Sequence, residues 1–331
     1  MKGPSVVDIA RYCGVSPSTV SRALHGRGDI KAATRERILA ACQELGYIPN
    51  RAATRLRGAA SRTIAGVMPD NDNELFVDKL FHLRQAAVKA GWHWQLLTWH
   101  EISEVPELMM NAIGEGVRGL VVFNRVPATL RLFLQRHGCA CVIYDGKDAF
   151  WPGVFLDREA GVCEAVEYLL THGLRRILLL GADLDSVRGR GYRRAHEKLG
   201  LAPDKALVRF TPFGRDLYSY GYQEIRNVLA DGLRFDGLCC VNDACAIGAI
   251  RALYEVGIRV PEDVRVVGFD DIRAGRYLVP SLSTVAQPVE EMARTAIDLL
   301  TGQLEGRQPS GSRREVTLQT RFIVRETTRF S

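Results

Sequence analysis

The chain has 331 residues, 47% of them hydrophobic, and carries 44 Lys+Arg against 38 Asp+Glu for a formal net charge of +6. That is enough apolar residue for packed cores in two or three domains and excludes wholesale disorder. No run of about 18 apolar residues occurs, and the start, MKGPSVVDIARYCGV, has neither an apolar h-region nor a small-residue cleavage site, so no membrane span or secretory leader is expected.

The charge is unevenly placed. Residues 1–62 hold 11 Lys+Arg against 4 Asp+Glu, whereas the other 269 hold 33 against 34. A small basic head on a neutral body is an electrostatic footprint for nucleic acid. In that head, SVVDIARYC (5–13) spaces Val6, Ile9, Ala10 and Cys13 as the buried stripe of a helix, with Ser5 and Asp8 as a capping-box-like start and Gly14 as its stop. In VSPSTVSRALHG, Ser16 is a good N-cap, Pro17 fits the first helical position, and Gly26 ends the element. Val20 and Leu24 form its apolar stripe, which leaves Pro17, Ser18, Ser21 and Arg22 on another face. A third helix, AATRERILAACQELG, offers Ile38, Leu39, Cys42 and Leu45 for burial. Two short helices joined by a tight turn and backed by a third follow the helix-turn-helix plan, although spacing alone fits any three-helix unit.

The order A-x-x-x-G-V-S-x-x-T-V-S-R, then E-L-G-Y-x-P-N-x-x-A ending at Ala53, closely resembles the DNA-binding head of the lactose-repressor (LacI/GalR) family of bacterial transcription regulators. The resemblance continues over essentially the whole chain. It implies a helix-turn-helix domain over 1–49, a hinge helix and linker over 50–61, and an effector-binding and dimerisation domain of two α/β subdomains over 62–331. It also implies that the first, second and sixth residues of the recognition helix, Pro17, Ser18 and Arg22, read bases. Arg22 has the bidentate donors that suit a guanine edge, whereas Pro17 has no donor and offers only shape or methyl contact. Ser5, Ser16, Ser21, Asn50, Arg51, Ala53, Arg55 and Arg57 are the expected backbone-contacting positions, which orient the head without reading sequence. Lys31 stands where a serine-type helix cap is usual.

The stretch RAATRLRG (51–58) has three arginines around one large apolar side chain, Leu56, with Asn50 as a cap and Gly58 as a stop. A helix this short is not stable alone in water. The family resemblance implies that it folds against a twin in the minor groove, where Leu56 levers a base step apart, as apolar wedges do when they kink duplexes.

From Thr63 the pattern becomes short apolar strands alternating with amphipathic helices: TIAGVMPD, then KLFHLRQAAVKAG, then WHWQLLTW, GLVVF and CACVIYD. After residue 158 a second series runs RRILLLGA, GYRRAHEKLG, GLCCVND, AIGAIRALYEVG and VRVVGFDD. Such alternation implies parallel sheets with right-handed crossovers, in two α/β units. Ligands in these sheets bind beyond the carboxyl ends of the strands. The polar residues cluster there: Asp70, Asn71 and Asp72, Asn124 and Arg125, Asp145, Asn242 and Asp243, and Asp270 and Asp271.

The stretches VNDACAIGAI, GIRVPEDVRVVGFDD and LSTVAQPVEEM resemble the periplasmic-binding-protein-like effector domain of the same family. That resemblance implies a small-molecule effector between two lobes, contacted by Arg190, Asp270, Asn242, Asp243 and Asp145, with Leu75 and Phe76 on the first helix. Strand-end Asp and Asn also serve simply to cap the next helix. Trp151, Phe213, Tyr218 and Tyr220 are candidates to stack on a sugar ring or to pack internally, and Arg125, Lys147 and Arg190 together would suit an acidic sugar.

The eight cysteines, at 13, 42, 139, 141, 163, 239, 240 and 245, form no CxxC pair and lie in apolar runs, as small hydrophobes do in a reducing compartment. The expected location is the cytoplasm. No phosphate loop, metal-ligand cluster or nucleophile–base arrangement stands out, so no enzyme activity, metal or cofactor is expected. The expected function is a transcription regulator, usually a repressor, that works as a homodimer on double-stranded operator DNA with a pseudo-palindromic sequence. A sugar, a sugar acid or, less readily, a nucleoside or purine is its effector. The alternatives are a solute-binding protein, which would need export and no basic head, and an α/β sugar or nucleoside enzyme, which would need a catalytic constellation.

Overall fold

The computed structural model describes residues 5–25, 30–45, 61–70, 73–210, 216–307 and 314–329. The chain divides into two compact units, residues 1–61 and 62–331.

The first unit is all-α, with helices α1 (Val6–Cys13), α2 (Pro17–His25) and α3 (Ala32–Glu44). Asp8 N–H donates to Ser5 Oγ at 3.4 Å while Ser5 N–H donates to Asp8 Oδ2 at 2.9 Å, so both orphan donors at the start of α1 are satisfied reciprocally. Gly14, at φ 60°, ends the helix in the left-handed region. Ile9, Ala10, Cys13, Val20, Ala23, Ile38, Ala41 and Cys42 form the core, with Val6, Leu24 and Leu45 packed at its margin. One expected core residue falls outside: Leu39 is 44% exposed, and the buried face of α3 runs instead through Ile38, Ala41 and Cys42.

The second unit contains β1 (Thr63–Pro69), α4 (Glu74–Lys89), β2 (His93–Trp99), α5 (Val105–Gly114), β3 (Val117–Phe123), α6 (Arg131–Arg136), β4 (Ala140–Tyr144) and β5 (Gly153–Asp157). It continues through α7 (Arg158–Thr171), β6 (Ile177–Leu180), α8 (Val187–Lys198), β7 (Val208–Arg209), α9 (Leu217–Ala230), β8 (Gly237–Cys240), α10 (Asp243–Glu255) and β9 (Arg265–Asp270). It closes with α11 (Arg273–Arg276), β10 (Ser283–Ala286), α12 (Val289–Leu304), β11 (Glu315–Gln319) and β12 (Arg321–Ile323).

Two six-stranded sheets result, ordered β11-β5-β4-β3-β1-β2 and β12-β10-β9-β8-β6-β7. Every pairing is parallel except that of β12 with β10. Parallel strands covered on both faces must be apolar throughout, and the central β4 (ACVIY) and β8 (GLCC) are buried at every position. The edge strands β2 (HWQLLTW) and β11 (EVTLQ) interleave exposed and half-buried positions, as one-sided burial requires. Each sheet is sandwiched between two apolar clusters, which gives each lobe its own core. All eight cysteines are free and buried.

The chain passes between the lobes after β5, after β10 and between β11 and β12. Thr320 Oγ1, at the third crossing, donates to the carbonyl of Asp157 at the first, at 2.9 Å, which ties two of the three crossing strands to each other. The carboxyl ends of both sheets face this junction. Four non-glycine residues with positive φ lie at those ends: Asn124 (68°), Asp145 (62°), Asp270 (116°) and Asp271 (58°). Asn and Asp are the side chains that best tolerate the left-handed region, where three of the four lie, and only Asp270 falls well outside it.

Candidate functional site

In the head, the loop between α1 and α2 leads into a helix whose two faces differ. Val20 and Ala23 are buried while Pro17, Ser18 and Arg22 are exposed and Ser21 is half-buried. Helical spacing puts positions 17, 18, 21 and 22 on one side, so α2 presents Ser18, Ser21 and Arg22 together with the apolar ring of Pro17. Arg22 Nε reaches back to the Ser18 carbonyl at 3.4 Å, a long contact that leaves its remaining donors free to reach outward. Ser16 Oγ accepts from Thr19 N–H at 3.1 Å and lies 2.7 Å from Ser18 Oγ, and Ser5 caps α1. Both serines, expected as DNA contacts, therefore also set where a helix begins, and helix starts present free backbone N–H groups suited to phosphate. Asn50, Arg51, Ala53, Arg55, Leu56 and Arg57 lie outside the described residues, as do Asn71, Asp72 and Phe213.

In the body, charged side chains from both lobes converge where the two sheets face each other. Lys79 of α4 is fully buried and its Nζ donates to Asp145 Oδ2 at 2.7 Å. Arg158, at the start of α7, pairs with the other oxygen of the same carboxylate. Burial pushes the Asp145 carboxyl up, but Lys79 and Arg158 together hold it below the usual carboxylate range. Lys79 also lies 5.6 Å from the centroid of Phe76, which stacks on Phe123 at 5.9 Å.

From the other lobe, Asp270 at the end of β9 is buried, and Gln287, at the second crossing, donates to its Oδ1 from Nε2 at 2.6 Å. Burial pushes the Asp270 carboxyl up to about 6, against the opposing pull of Arg188, Lys79 and Arg158. The guanidinium of Arg188 lies over the ring of Phe269, 4.6 Å from its centroid, which fixes the plane of the fork. Its Nε is buried without a hydrogen-bond partner, as are Gln287 Oε1 and Tyr144 Oη. Unsatisfied buried polar atoms are rare in folded chains and each calls for a partner. Asp270 also lines two open grooves of about 580 and 610 Å³, the second of which Gln287 lines as well.

The two lobes also touch through apolar side chains, where Leu75 packs with Ile272 and Val289. Leu75 and Phe76 are thus both at the junction, the first as interlobe contact and the second as the aromatic floor beside Lys79.

Three expected assignments change. Arg190 is not in the junction: it is exposed, its Nε donates to Glu159 at 3.0 Å and its Nη1 to the Asp185 carbonyl at 2.9 Å. The helix cap is the reason. Ser186 Oγ accepts from Gly189 N–H at 3.0 Å, which starts α8 so that Arg188 faces the cleft and Arg190, two residues on, faces away. Asn242 spends its side-chain oxygen on the start of α10, accepting from Cys245 N–H at 2.9 Å. Asp243 is wholly internal: its oxygens accept from Thr284 Oγ1 at 2.6 Å and Ile272 N–H at 2.9 Å. Burial and the nearby Asp270 carboxylate push the Asp243 carboxyl well up, so its work is to hold the turn after β9 in place. Gly268 allows this, because a Cβ there would collide with Asp243 Oδ1.

The aromatic candidates disperse. Trp151 is buried in the first lobe and Tyr220 packs on the core of the second, while Tyr218 is 43% exposed. Lys147 lies over the Phe155 ring at 4.2 Å and Arg125 is exposed, so these two and Arg190 form no common anion site. Lys79, Arg158, Arg188 and Gln287 were not singled out from the sequence. Of these, Arg188 lay in RGRGY, the stretch that supplied Arg190, and Gln287 lay in LSTVAQPVEEM. Among the described residues, no group of three or more His, Cys, Asp or Glu could hold a metal ion, and no helix is long and apolar enough to cross a membrane.

Comparison with known proteins accounts for both units. Residues 5–50 match the family model for bacterial regulatory proteins of the lacI family, and residues 166–328 match a periplasmic binding protein-like domain. The HTH-type transcriptional regulator GntR of Pseudomonas aeruginosa is 31% identical, over 98% of this chain and 96% of its own length. The HTH-type transcriptional regulator CelR of Thermobifida fusca is also 31% identical, over 98% of each chain. Among solved structures, the lac repressor dimer bound to operator and the anti-inducer ONPF is similar at a TM-score of 0.83, with 26% identity over 99% of both chains. A CelR–cellobiose complex is similar at a TM-score of 0.71, with 28% identity over 98% of this chain and 99% of that one. A helix-turn-helix head joined to a two-lobed body of parallel sheets, matched end to end at this identity, makes the chain a member of the LacI family of bacterial transcription regulators.

Proposed function

We propose that this chain binds operator DNA as a homodimer and that a small hydroxylated ligand, held between the lobes of the body, sets its affinity for that DNA. The observation that carries the reading is the junction itself. Asp145 and Lys79 from one lobe meet Arg188 and Asp270 from the other, with polar atoms left unsatisfied between them. A ligand bridging such groups fixes the angle between the lobes. The relatives support the rest: they are named transcriptional regulators, one is solved as a dimer on operator, and another with cellobiose. A regulator of this kind acts without catalysis and works in the cytoplasm, where the DNA is.

In this reading Arg22 reads a base edge, and Pro17 and Ser18 contribute shape. Ser5, Ser16, Ser21, Asn50, Arg51, Ala53, Arg55 and Arg57 fix the register on the backbone, and Leu56 opens the central base step. Lobe angle sets the separation of the two hinge segments of a dimer and so their ability to fold on DNA. Such coupling is reciprocal, typically about 1–3 kcal/mol, and operator must shift ligand affinity by the same factor. The test is operator affinity, with and without ligand, for the parent, Arg188→Met and Asp270→Asn. The two variants should bind operator at a basal level that no longer responds to ligand; a full response in both would overturn the site.

A further inference from the structure

The junction carries more positive than negative charge. Lys79, Arg158 and Arg188 supply three cations, and Asp145 and Asp270 two carboxylates. The carboxylates nearby are otherwise engaged. Asp271 pairs with Arg276 and Arg325, Glu159 with Arg190 and Arg194, and Asp243 accepts from Thr284 and Ile272 within the fold. Among the described residues Arg188 has no carboxylate within 4.0 Å, although its Nε is buried and its plane is pinned on Phe269. Its counter-charge is Asp270 beyond ion-pair distance, itself pushed toward the neutral form by burial, so the guanidinium is incompletely compensated, and hydroxyl groups satisfy its hydrogen bonds but not its charge. The guanidinium fork fits the two oxygens of a carboxylate or phosphate in one plane.

We infer that the effector is an acidic polyol, and that its oxyanion lodges against Arg188, flanked by Arg158 and Lys79. The inference rests on the effector reading above and names the chemical class it takes. The hydroxyls of the same ligand meet acceptors: Asp270 has only Oδ1 engaged, by Gln287, and Gln287 Oε1 and Tyr144 Oη are unpartnered. Acid at one end and hydroxyls along the rest describe an aldonate, a uronate or a sugar phosphate. A neutral sugar or a neutral nucleobase would leave the excess positive charge enclosed.

The full-length chain is titrated calorimetrically at constant ionic strength with matched probes. These are gluconate and glucose, galactonate and galactose, glucuronate, and glucose 6-phosphate. At least one acid should bind ten-fold or more tightly than its neutral counterpart, and Arg158→Met should reduce that preference to three-fold or less. Lys79→Gln gives the same comparison should Arg158→Met fail to fold. A carboxylate probe winning over glucose 6-phosphate assigns the oxyanion as a carboxylate, and the reverse assigns it as a phosphate; both support the inference. A neutral sugar binding as tightly as its acid overturns the acidic class and leaves the effector reading standing. A chain that binds operator yet takes up no probe of either kind, and gains no thermal stability from any, overturns both.

Discussion

Glu74 Oε1 accepts a hydrogen bond from the backbone N–H of Arg273 at 2.9 Å, fastening the first helix of one lobe to the turn after β9 in the other, 199 residues away. It lies beside the Leu75–Ile272–Val289 contact, so polar and apolar ties close the lobes along the same margin. Hydrogen bonds to charged groups contribute roughly 1.5–3 kcal/mol, less where water reaches them as it does here. Glu74→Ala should shift the ligand concentration at half-response about five-fold, with the melting temperature nearly unchanged. Ligand titrations of operator binding read this, and an unaltered midpoint would show that the contact takes no part in closure.

Arg188 and Arg190 separate by the same logic. Arg190→Ala removes an exposed ion pair with Glu159, worth at most about 1 kcal/mol, and should leave the ligand response intact. Arg188→Met keeps apolar cover over Phe269 but removes the fork, so the response should disappear. Anisotropy of labelled operator with both variants decides it, and a response lost in Arg190→Ala but kept in Arg188→Met would restore the assignment made from sequence.

Asp270 gives a pH signature. Burial raises its folded carboxyl to about 6 from the ordinary 3.8, so the folded chain holds this proton more tightly than the unfolded one. Its contribution is then most favourable below about pH 4, is lost as pH rises from 4 to 6, and stays unfavourable above, by about 3 kcal/mol. Arg188, Lys79, Arg158 and Gln287 face it and oppose the shift, and Asp243, whose carboxyl the Asp270 charge helps push up, is partly relieved in Asp270→Asn, which adds to the difference in the same direction. The melting temperature of Asp270→Asn relative to the parent, without ligand, should climb by several degrees between pH 4 and pH 7. A flat difference would contradict the raised carboxyl.

The architecture was legible because central strands such as β4 are apolar at every position and helices begin at Ser, Asn or Asp caps. The site was legible only in outline. Asp145 and Asp270 could be read from their places at strand ends, a property of sequence order. Arg188 could not, since its direction depends on α8 starting at Ser186, and the motif RGRGY offers two arginines of equal appearance. Asn242 and Asp243 sit at a strand end as well, yet one caps α10 and the other braces β9 from inside. Lys79 was hidden for another reason: a lysine on a helix is ordinarily solvated, and only the approach of Asp145 from a strand 66 residues away accounts for its burial.

The head admits its own separation of roles. Ser16→Ala should cost the head about 1 kcal/mol through the lost cap, visible as a lower melting transition, and weaken all DNA alike. Arg22→Ala should leave that transition in place and cost about 1–3 kcal/mol at one base position per half-site. Leu56→Ala should reduce operator bending together with specific affinity, which gel phasing measures.

The most direct test of the account is selection of bound duplexes from a random pool by the full-length chain, followed by sequencing and by titration of the enriched duplex. Two chains should bind each duplex, whose sequence should show two half-sites related by a twofold axis, and Arg22→Ala should relax the preference at one position in each half-site. Enrichment of a single unpaired half-site, or of no sequence above the random pool, would contradict it.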